Sequence, residues 1–252
     1  MPNDLYLRQI ALREMPPEDD YLFDLPVVRA LAERPIAFHR PVTFFVGENG
    51  VGKSTLVEAL AVSLGFNPEG GTKNFHFATE DTHSRLSGLI RVARGAVRPR
   101  DGFFLRAESF YNVATNIDQL DREGGFGPPV IDSYGGVSLH RQSHGESFLS
   151  LVDNRFGGAG VYILDEPEAA LSPMRLLRLL VDMQTLVKAD SQFVISTHSP
   201  ILMAFPDAEV YEITERGIES VPWRETEHYR VTREFLENPE RMLYYLLERG
   251  EI

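Results

Sequence analysis

The chain has 252 residues, 43% of them hydrophobic, and it carries a formal net charge of −12 and no cysteine. This size accommodates one large domain with a sizeable core, and the lack of cysteine excludes disulfides and thiolate metal sites. No apolar run reaches the roughly 18 residues that span a bilayer, and the first residues show no secretion signal. We therefore expect a cytoplasmic protein with no membrane span.

The hydrophobic patterns predict alternating strands and helices, separated by loops. In chain order the predicted elements are a strand over 5–12, a helix over 25–33, a strand over 36–46, a strongly amphipathic helix over 53–64, a loop over 67–82, a helix over 85–94, a strand over 102–107, a helix over 110–120, a loop over 122–134, a strand over 161–164, a helix over 173–187, a strand over 193–196, a hairpin of 209–213 with 218–221, and a helical tail from 226 with a break at Pro239. Such alternation is typical of an α/β domain with a mainly parallel central sheet flanked by helices.

Basic residues concentrate in one short segment, from Arg91 to Arg100. An acidic chain does not attract nucleic acid over its whole surface, so a DNA contact would need a local basic patch of this kind. A solvated helix end and loop is the more ordinary interpretation of the segment, and it is the favoured one.

A phosphate loop is predicted where the sequence reads Gly-Glu-Asn-Gly-Val-Gly-Lys-Ser, because this stretch satisfies G-x-x-x-x-G-K-[ST] between a strand and a helix. Backbone N–H groups of such a loop and the helix dipole favour phosphate. Lys53 would neutralise the β- and γ-phosphates, and the Ser54 hydroxyl would bind Mg²⁺. The predicted nucleotide-binding residues are Gly47, Glu48, Asn49, Gly50, Val51, Gly52, Lys53, Ser54 and Thr55.

Two carboxylates, Asp165 and Glu166, follow the apolar strand over 161–164. A strand end beside the phosphate loop is where a Mg²⁺ ligand is needed, and Asp165 fits that role. Glu166 projects beyond the strand, where it could orient or deprotonate the attacking water. Acidic residues that merely cap the next helix are the ordinary alternative, but the phosphate loop upstream favours the catalytic interpretation.

A histidine, His198, comes shortly after the strand over 193–196. A lone histidine in such a place is more often a structural residue with satisfied hydrogen bonds. Because the same edge of the sheet is predicted to hold Lys53 and Asp165, we expect His198 to reach the γ-phosphate and to take part in catalysis.

Together these residues resemble the ABC-type ATPase family, including its SMC-like and DNA-repair branches, over roughly residues 36–205. The matching positions are Lys53 and Ser54 of Walker A, Asp165 of Walker B, the catalytic Glu166, the switch histidine His198, and Ser172 in the D-loop, where the family usually has aspartate. The resemblance implies ATP and Mg²⁺ as cofactors.

The resemblance also implies a P-loop NTPase fold of the ABC-ATPase type, with an antiparallel N-terminal edge and a small helical lobe. We expect one domain over 1–252, with the lobe over about 84–156 and a C-terminal hairpin and helices over 207–252. About ninety residues separate Lys53 from Ser143, too few for a long coiled coil. The chain is therefore closer to the small stand-alone AAA-family ATPases of SMC-like or OLD-like type than to an SMC rod.

The stretch Ser-His-Gly-Glu lies before a predicted helix and shortly before the Walker B strand, which is where the family has its signature Ser-Gly-Gly-Gln. The resemblance implies that Ser143, Gly145 and Glu146 close over a nucleotide held by the other subunit. A simple capping box of Ser143 with Glu146 fits the same residues, and the two interpretations are compatible.

Glu108 falls where the family has its Q-loop glutamine, so the resemblance makes it a third candidate for the Mg²⁺ site beside Ser54 and Asp165. A structural ion pair of Arg106 with Glu108 is an equally good interpretation. The adenine-contacting residues are not identified by any motif; Phe38, His39 and Arg40 are only nearby candidates. ATP is favoured because no guanine motif of the N/T-K-x-D kind is present.

The expected function is Mg²⁺-dependent ATP binding and hydrolysis that drives head-to-tail homodimerisation. This cycle would act as a switch for a DNA-repair, defence or regulatory partner, such as DNA itself, a nuclease or a regulatory protein. One alternative is the motor subunit of an ABC transporter, which the lack of an obvious apolar coupling surface disfavours. Another is a scaffold that holds ATP without turnover, which the Asp165–Glu166 pair disfavours.

Overall fold

The computed structural model describes residues 5–72, 84–108, 110–123 and 129–249. The strands are β1 (Leu7–Leu12), β2 (Ile36–Ala37), β3 (Val42–Gly47), β4 (Ile90–Arg94), β5 (Asp101–Arg106), β6 (Gly160–Asp165), β7 (Gln192–Ser196), β8 (Glu209–Thr214) and β9 (Gly217–Ser220). The helices are α1 (Tyr21–Asp24), α2 (Pro26–Glu33), α3 (Lys53–Ser63), α4 (Leu86–Leu89), α5 (Phe110–Glu123), α6 (His144–Arg155), α7 (Pro173–Lys188), α8 (Pro200–Met203), α9 (Glu227–Glu237) and α10 (Pro239–Tyr244). Short 3₁₀ turns cover Val130–Tyr134, Leu139–Arg141, Pro167–Ala169 and Trp223–Glu225, and a π-helical turn covers Tyr245–Arg249.

The central sheet has six strands in the order β5-β6-β7-β3-β8-β9. All neighbours are parallel except β8 and β9, which form the predicted antiparallel hairpin. Every residue of β3, β6 and β7 is buried, as expected for parallel strands that are covered on both faces. Because these three strands are adjacent and parallel, their carboxyl ends meet at one edge, which is the edge that holds the candidate site.

A second sheet of three antiparallel strands, β2-β1-β4, confirms the predicted antiparallel N-terminal edge. The strand predicted over 36–46 is in fact two strands, because β2 pairs with β1 and β3 joins the central sheet. The prediction of a helix over 85–94 is wrong for its second half. Helix α4 ends at Leu89, and residues 90–94 form strand β4 instead. Ile90 packs into the core and pairs with Leu12, so tertiary pairing overrides the local helical pattern.

Helix α3 lies between the two sheets and contacts β3, β6 and β7 of one and β4 of the other. Its middle residues Leu56, Val57, Ala59, Leu60 and Ala61 are completely buried. The prediction of a strongly amphipathic helix is therefore wrong, since a helix enclosed on both sides has no broad solvated face.

The opposite face of the central sheet carries a second core that includes the helical part of the predicted lobe. Phe110 of α5, Tyr134, and Phe148 of α6 pack there against β5 and β6. The range 84–156 also contains strands β4 and β5, so its longer helices lie within 110–155. Parts of the two predicted loops, 73–82 and 124–128, lie outside the described residues.

The C-terminal segment continues as helices α9 and α10, which meet at Pro239 as the sequence predicts. Within the described residues, no helix is both long and apolar enough to cross a membrane. Helix α9 begins beside α8, and its His228 contacts His198 in the loop that follows β7.

Candidate functional site

The phosphate loop joins β3 to α3 and depends on glycines with positive φ. Gly47, Gly50 and Gly52 have φ of +143°, +89° and +94°, in the region that side chains other than glycine rarely adopt. A Cβ atom on Gly47 would lie 2.2 Å from the Ile213 carbonyl oxygen, and one on Gly52 would lie 2.4 Å from a methyl group of Val27. Strand β8 and helix α2 thus hold the loop closely from two sides.

We expect Gly47→Ala to destabilise the fold by about 2–4 kcal/mol, because it adds a backbone clash to the cost of a positive φ. Gly65→Ala is the matched control: Gly65 has a φ of +90°, and a Cβ atom there would meet no atom of the described residues within 4 Å. The control should cost only about 1 kcal/mol. Urea unfolding measures both variants, and equal losses would contradict the close approach of Ile213 to the loop.

Lys53 is 4% exposed, and its ammonium group lies inside the loop. Its Nζ atom donates to the carbonyl oxygens of Gly47 and Glu48, at 2.8 Å each. Burial lowers the pKa of Lys53, while the carboxylates of Glu166, Asp165, Glu168 and Glu48 oppose that shift. The loop therefore holds a positive charge at the N-terminus of α3, next to the acidic end of strand β6.

Asp165 ends β6 and is buried, and two polar side chains contact its carboxylate. Ser196 of β7 donates a hydrogen bond to it, and Arg106 of β5 lies with its Nε atom 3.4 Å from Asp165 Oδ2. Arg106 also forms an ion pair of 2.7 Å with Glu58 of α3. The register of the sheet sets this cluster, because Arg106 and Ser196 both pair with Asp165 in the parallel ladders.

Glu166 has a left-handed backbone with a φ of +49°, a costly conformation for a residue other than glycine and one that is common at functional sites. Its side chain makes no capping hydrogen bond to the 3₁₀ turn that follows, so the structure does not support the capping alternative. Its carboxylate instead lies 3.5 Å from Nε2 of His198. Burial, Asp165 and Glu168 raise the pKa of Glu166, although Lys53 acts in the opposite sense.

His198 stands in the loop between β7 and α8, with its two ring nitrogens facing different partners. Nε2 faces Glu166, and Nδ1 lies 2.7 Å from Nε2 of His228 on α9. Burial, then Lys53 and His228, lower the pKa of His198 to about 4, so the ring is neutral at neutral pH. The structure thus brings Lys53, Asp165, Glu166 and His198 to one edge of the sheet.

Comparison with known proteins agrees with this geometry. Residues 28–109 match a family described as "AAA domain", and residues 137–204 match one described as "AAA domain, putative AbiEii toxin, Type IV TA system". No curated protein sequence matches the chain significantly. The two family matches contain the phosphate loop and the Asp165–His198 region respectively.

Solved structures share the fold at low sequence identity. The structure titled "An inward-facing conformation of a putative metal-chelate type ABC transporter" aligns with a TM-score of 0.50 and 14% identity, over 90% of this chain and 88% of that one. CbiO1 from Clostridium perfringens, part of the ABC transporter complex cbiONQ, aligns with a TM-score of 0.52 and 16% identity, over 94% and 97%. The SMC head domain from Thermotoga maritima reaches a TM-score of 0.44 at 18% identity, over 86% and 99%.

The chain has the fold of the ABC-type P-loop ATPases. The resemblance and the fold class predicted from the sequence are therefore confirmed.

The predicted signature of this ABC-type protein lies at the start of α6. Ser143 and Glu146 form a capping box, in which the Ser143 N–H group donates to the Glu146 carboxylate at 3.0 Å. Arg175 of α7 donates to Ser143 Oγ at 3.3 Å and pairs with Glu146 at 3.3 Å. A Cβ atom on Gly145 would lie 2.3 Å from the Arg175 guanidinium, so glycine permits this packing. The capping interpretation is thus observed, while contact with a second subunit stays a prediction.

Ser172, the predicted D-loop residue of the ABC-type protein, is exposed at the N-terminus of α7. Its side chain makes no capping hydrogen bond there. Glu108, the third predicted Mg²⁺ ligand, has an 83% exposed side chain, and its carboxylate lies 3.7 Å from the Arg106 guanidinium. The ion pair of Arg106 with Glu108, one of the two interpretations of the sequence, is therefore present. A role of Glu108 at Mg²⁺ stays a prediction.

The adenine candidates Phe38, His39 and Arg40 lie before β3, whereas the phosphate loop follows it. A strand of six residues spans about 20 Å, and His39 is bound there to Glu209 at 2.8 Å. This separation disfavours an adenine contact by these residues.

Sequence reasoning missed two residues that hold His198. Glu168 is mostly buried and accepts a hydrogen bond from the His198 backbone N–H group, and burial raises its pKa. Glu168 lies two residues after Glu166, in the 3₁₀ turn that directly follows it. This closeness in sequence was a signal that could have been used. His228 carries no motif, and only the packing of α9 reveals it.

Proposed function

We propose that the protein binds ATP with Mg²⁺, hydrolyses it, and forms a head-to-tail homodimer when ATP is bound. The observation that carries this proposal is the meeting of Lys53, Asp165, Glu166 and His198 at the carboxyl ends of three adjacent strands. A phosphate loop alone would support binding only. The additional carboxylate and imidazole face the loop and supply the groups that phosphoryl transfer to water needs.

Binding rests on the loop and on two oxygen ligands. The backbone N–H groups of the loop and the Lys53 ammonium would hold the β- and γ-phosphates. Ser54 and Asp165 fit Mg²⁺, because a hydroxyl and a buried carboxylate are the hard oxygen donors that this ion prefers. When bound, Mg²⁺ neutralises charge on the phosphates, and the Ser196 hydrogen bond keeps the Asp165 carboxylate oriented.

Hydrolysis needs a base that can accept a proton from water, and Glu166 fits this role. Its raised pKa improves its strength as a base near neutral pH. The backbone of Glu166 is left-handed, and its carboxylate lies beside His198. His198, neutral and held by its backbone N–H group at Glu168, would donate from Nε2 to the γ-phosphate.

The dimer proposal rests on the exposure of the signature. Ser143 and Glu146 are exposed at the N-terminus of α6, where the helix dipole favours phosphate. Ser172 is exposed at the start of the neighbouring helix α7. A second copy related by a two-fold axis would place its phosphate loop against this surface, so each site would draw on both chains.

The dimer would act as a switch for a DNA-repair, defence or regulatory partner. The family description over 137–204 names a toxin of a toxin–antitoxin system, which supports the defence class.

The basic segment Arg91–Arg100 begins on strand β4, so its interpretation as a helix end is wrong. Arg94 in this segment donates a hydrogen bond to the Ser63 carbonyl oxygen. Contact of this segment with DNA, like the cytoplasmic location, stays a prediction.

The motor subunit of an ABC transporter is the alternative function. The solved structures that share the fold include transporter proteins, but one fold hosts many functions. Their low identity therefore does not favour this alternative. Co-purification of the native protein with membranes would support it, whereas retention in the soluble fraction would support the switch.

Ser143→Arg tests the dimer, because a large charged side chain at the signature would block closure over the second nucleotide. We expect ATP binding by the monomer to be unchanged and hydrolysis to fall by roughly tenfold or more. Ser220→Arg, the same exchange on the exposed edge strand β9, is the control and should behave as wild type. Normal hydrolysis by Ser143→Arg would show that the signature segment is a helix cap only.

Mixing Ser143→Arg with Lys53→Ala extends the test. If subunits exchange freely, about half of the dimers carry one site with both residues intact and one with neither. Independent sites would then restore roughly a quarter of the wild-type activity. A rescue above the sum of the two separate variants is the result that requires a shared site.

A further inference from the structure

Helix α9 places a second imidazole against the switch histidine. Nε2 of His228 lies 2.7 Å from Nδ1 of His198, and the two ring centroids are 4.7 Å apart. This distance is that of a hydrogen bond. His228 Nδ1 is fully buried and has no hydrogen-bond partner among the described residues.

The position of His228 is fixed by the residues just before it. Thr226 is completely buried, and its hydroxyl donates to the Trp223 carbonyl oxygen at 2.7 Å and lies 3.7 Å from the sulfur of Met203 on α8. The Glu227 N–H group donates to Glu212 of β8 at 2.9 Å. Because α8 begins two residues after His198, the same short helix anchors both imidazoles.

The partners of the two rings determine which nitrogen carries the hydrogen. His198 Nε2 faces the Glu166 carboxylate, which accepts hydrogen bonds, so Nε2–H is the favoured tautomer. Nδ1 of His198 is then an acceptor and requires a donor, which is Nε2–H of His228. This assignment leaves His228 Nδ1 as an unfilled acceptor rather than as an unfilled donor, and buried donors without partners are the rarer case.

Several charged groups surround the pair from the packed elements. Lys53 of α3 lowers the pKa of both histidines, after burial, whereas Glu227 on α9, Glu212 on β8 and Glu48 in the phosphate loop act in the opposite sense on His228. Burial is the largest of the effects that lower the pKa values of the two histidines and keep both rings neutral.

We propose that His228 is a positioning residue for hydrolysis, which donates to Nδ1 of His198 and thereby fixes the tautomer and ring orientation that present Nε2–H to the γ-phosphate. This inference rests on the proposed function, in which His198 contacts that phosphate. Helix α9, outside both family matches, then contributes to the chemistry of the site.

Three variants test the role by kinetics. His228→Phe keeps the ring volume but removes the donor, so kcat should fall on the order of tenfold with an unchanged KM for ATP, the scale at which partners that orient a functional histidine act. His228→Gln places an amide N–H group near the position of Nε2 and should recover most of the loss. Arg233→Gln breaks the exposed pair of Arg233 with Glu237 on the same helix and is the matched control for perturbing α9.

A double-mutant cycle separates positioning from a general structural effect. If His228 acts through His198, His228→Phe should cause no further loss of kcat in a His198→Phe background. An equal loss in both backgrounds would overturn the inference. So would an equal loss in His228→Gln and His228→Phe.

A measurement without nucleotide tests the hydrogen bond between the two histidines separately from the proposed function. In ¹⁵N-histidine-labelled protein, long-range ¹H–¹⁵N spectra report the tautomer of each ring, and the His198→Phe variant assigns the signal. We expect the Nε2–H tautomer for His198 in the wild type and a mixture of tautomers in His228→Phe. An unchanged tautomer in the variant would overturn the role of His228, whereas lack of turnover by the wild type would overturn only the proposed function.

Discussion

Lys53→Ala is expected to lose at least about a hundredfold in ATP affinity. The buried ammonium group is already directed into the loop by the Gly47 and Glu48 carbonyl oxygens, and its contacts to two phosphates would disappear together. Each hydrogen bond to a charged group contributes about 1.5–3 kcal/mol, so two of them reach this scale. Titration calorimetry with Mg²⁺ and ATP measures the change.

Lys188→Ala is the matched control for this loss, because Lys188 is an exposed lysine at the end of α7. Its affinity for ATP should equal that of the wild type. Thermal unfolding of both variants checks that the fold is intact. Normal affinity in a folded Lys53→Ala protein would rule out the assignment of the phosphate loop.

Glu166→Gln is expected to keep ATP binding and to slow hydrolysis by about a hundredfold or more, as for loss of a general base. The exchange is nearly isosteric, so the left-handed backbone at this position changes little. The ATP-bound dimer should accumulate and be visible by light scattering. In the wild type, kcat should fall as the pH drops below the raised pKa of Glu166, since only the carboxylate form accepts a proton, and the variant should lack this dependence.

Glu215→Gln, in the exposed turn between β8 and β9, controls for the loss of one negative charge. It should leave turnover and its pH dependence unchanged. Turnover near the wild-type rate in Glu166→Gln would mean that Glu166 has only a structural role. A dimer that accumulates without any hydrolysis in the wild type would favour the non-hydrolysing scaffold instead.

The core of the site could be predicted from the sequence because each residue has a local signal. Lys53 belongs to a specific loop pattern, and Asp165 and His198 each follow a short strand whose residues are nearly all apolar. Parallel strands that end together bring such residues to one edge without any knowledge of the rest of the fold. The capping box at Ser143 was equally local, since its two partners are three residues apart.

The features that were missed depend on pairing between distant segments. Ile90 joins a strand because Leu12 is its neighbour in the second sheet, and α3 lacks a polar face because both sheets enclose it. His228 reaches the site because Thr226 is anchored on Met203. Local periodicity carries no information about such contacts.

The position of β3 in the central sheet also determines when this sheet can form during synthesis on the ribosome. Its two neighbours are β7 and β8, so Val42 pairs with Phe193 and Thr43 with Glu209. The phosphate-loop strand is therefore synthesised long before either partner leaves the exit tunnel, and it stays without these partners until then. Because the pairing of β3 with β7 and β8 joins segments so far apart, the entropy of the long intervening chain opposes it. Competence to bind nucleotide then follows the synthesis of β7 and β8, not that of the phosphate loop itself.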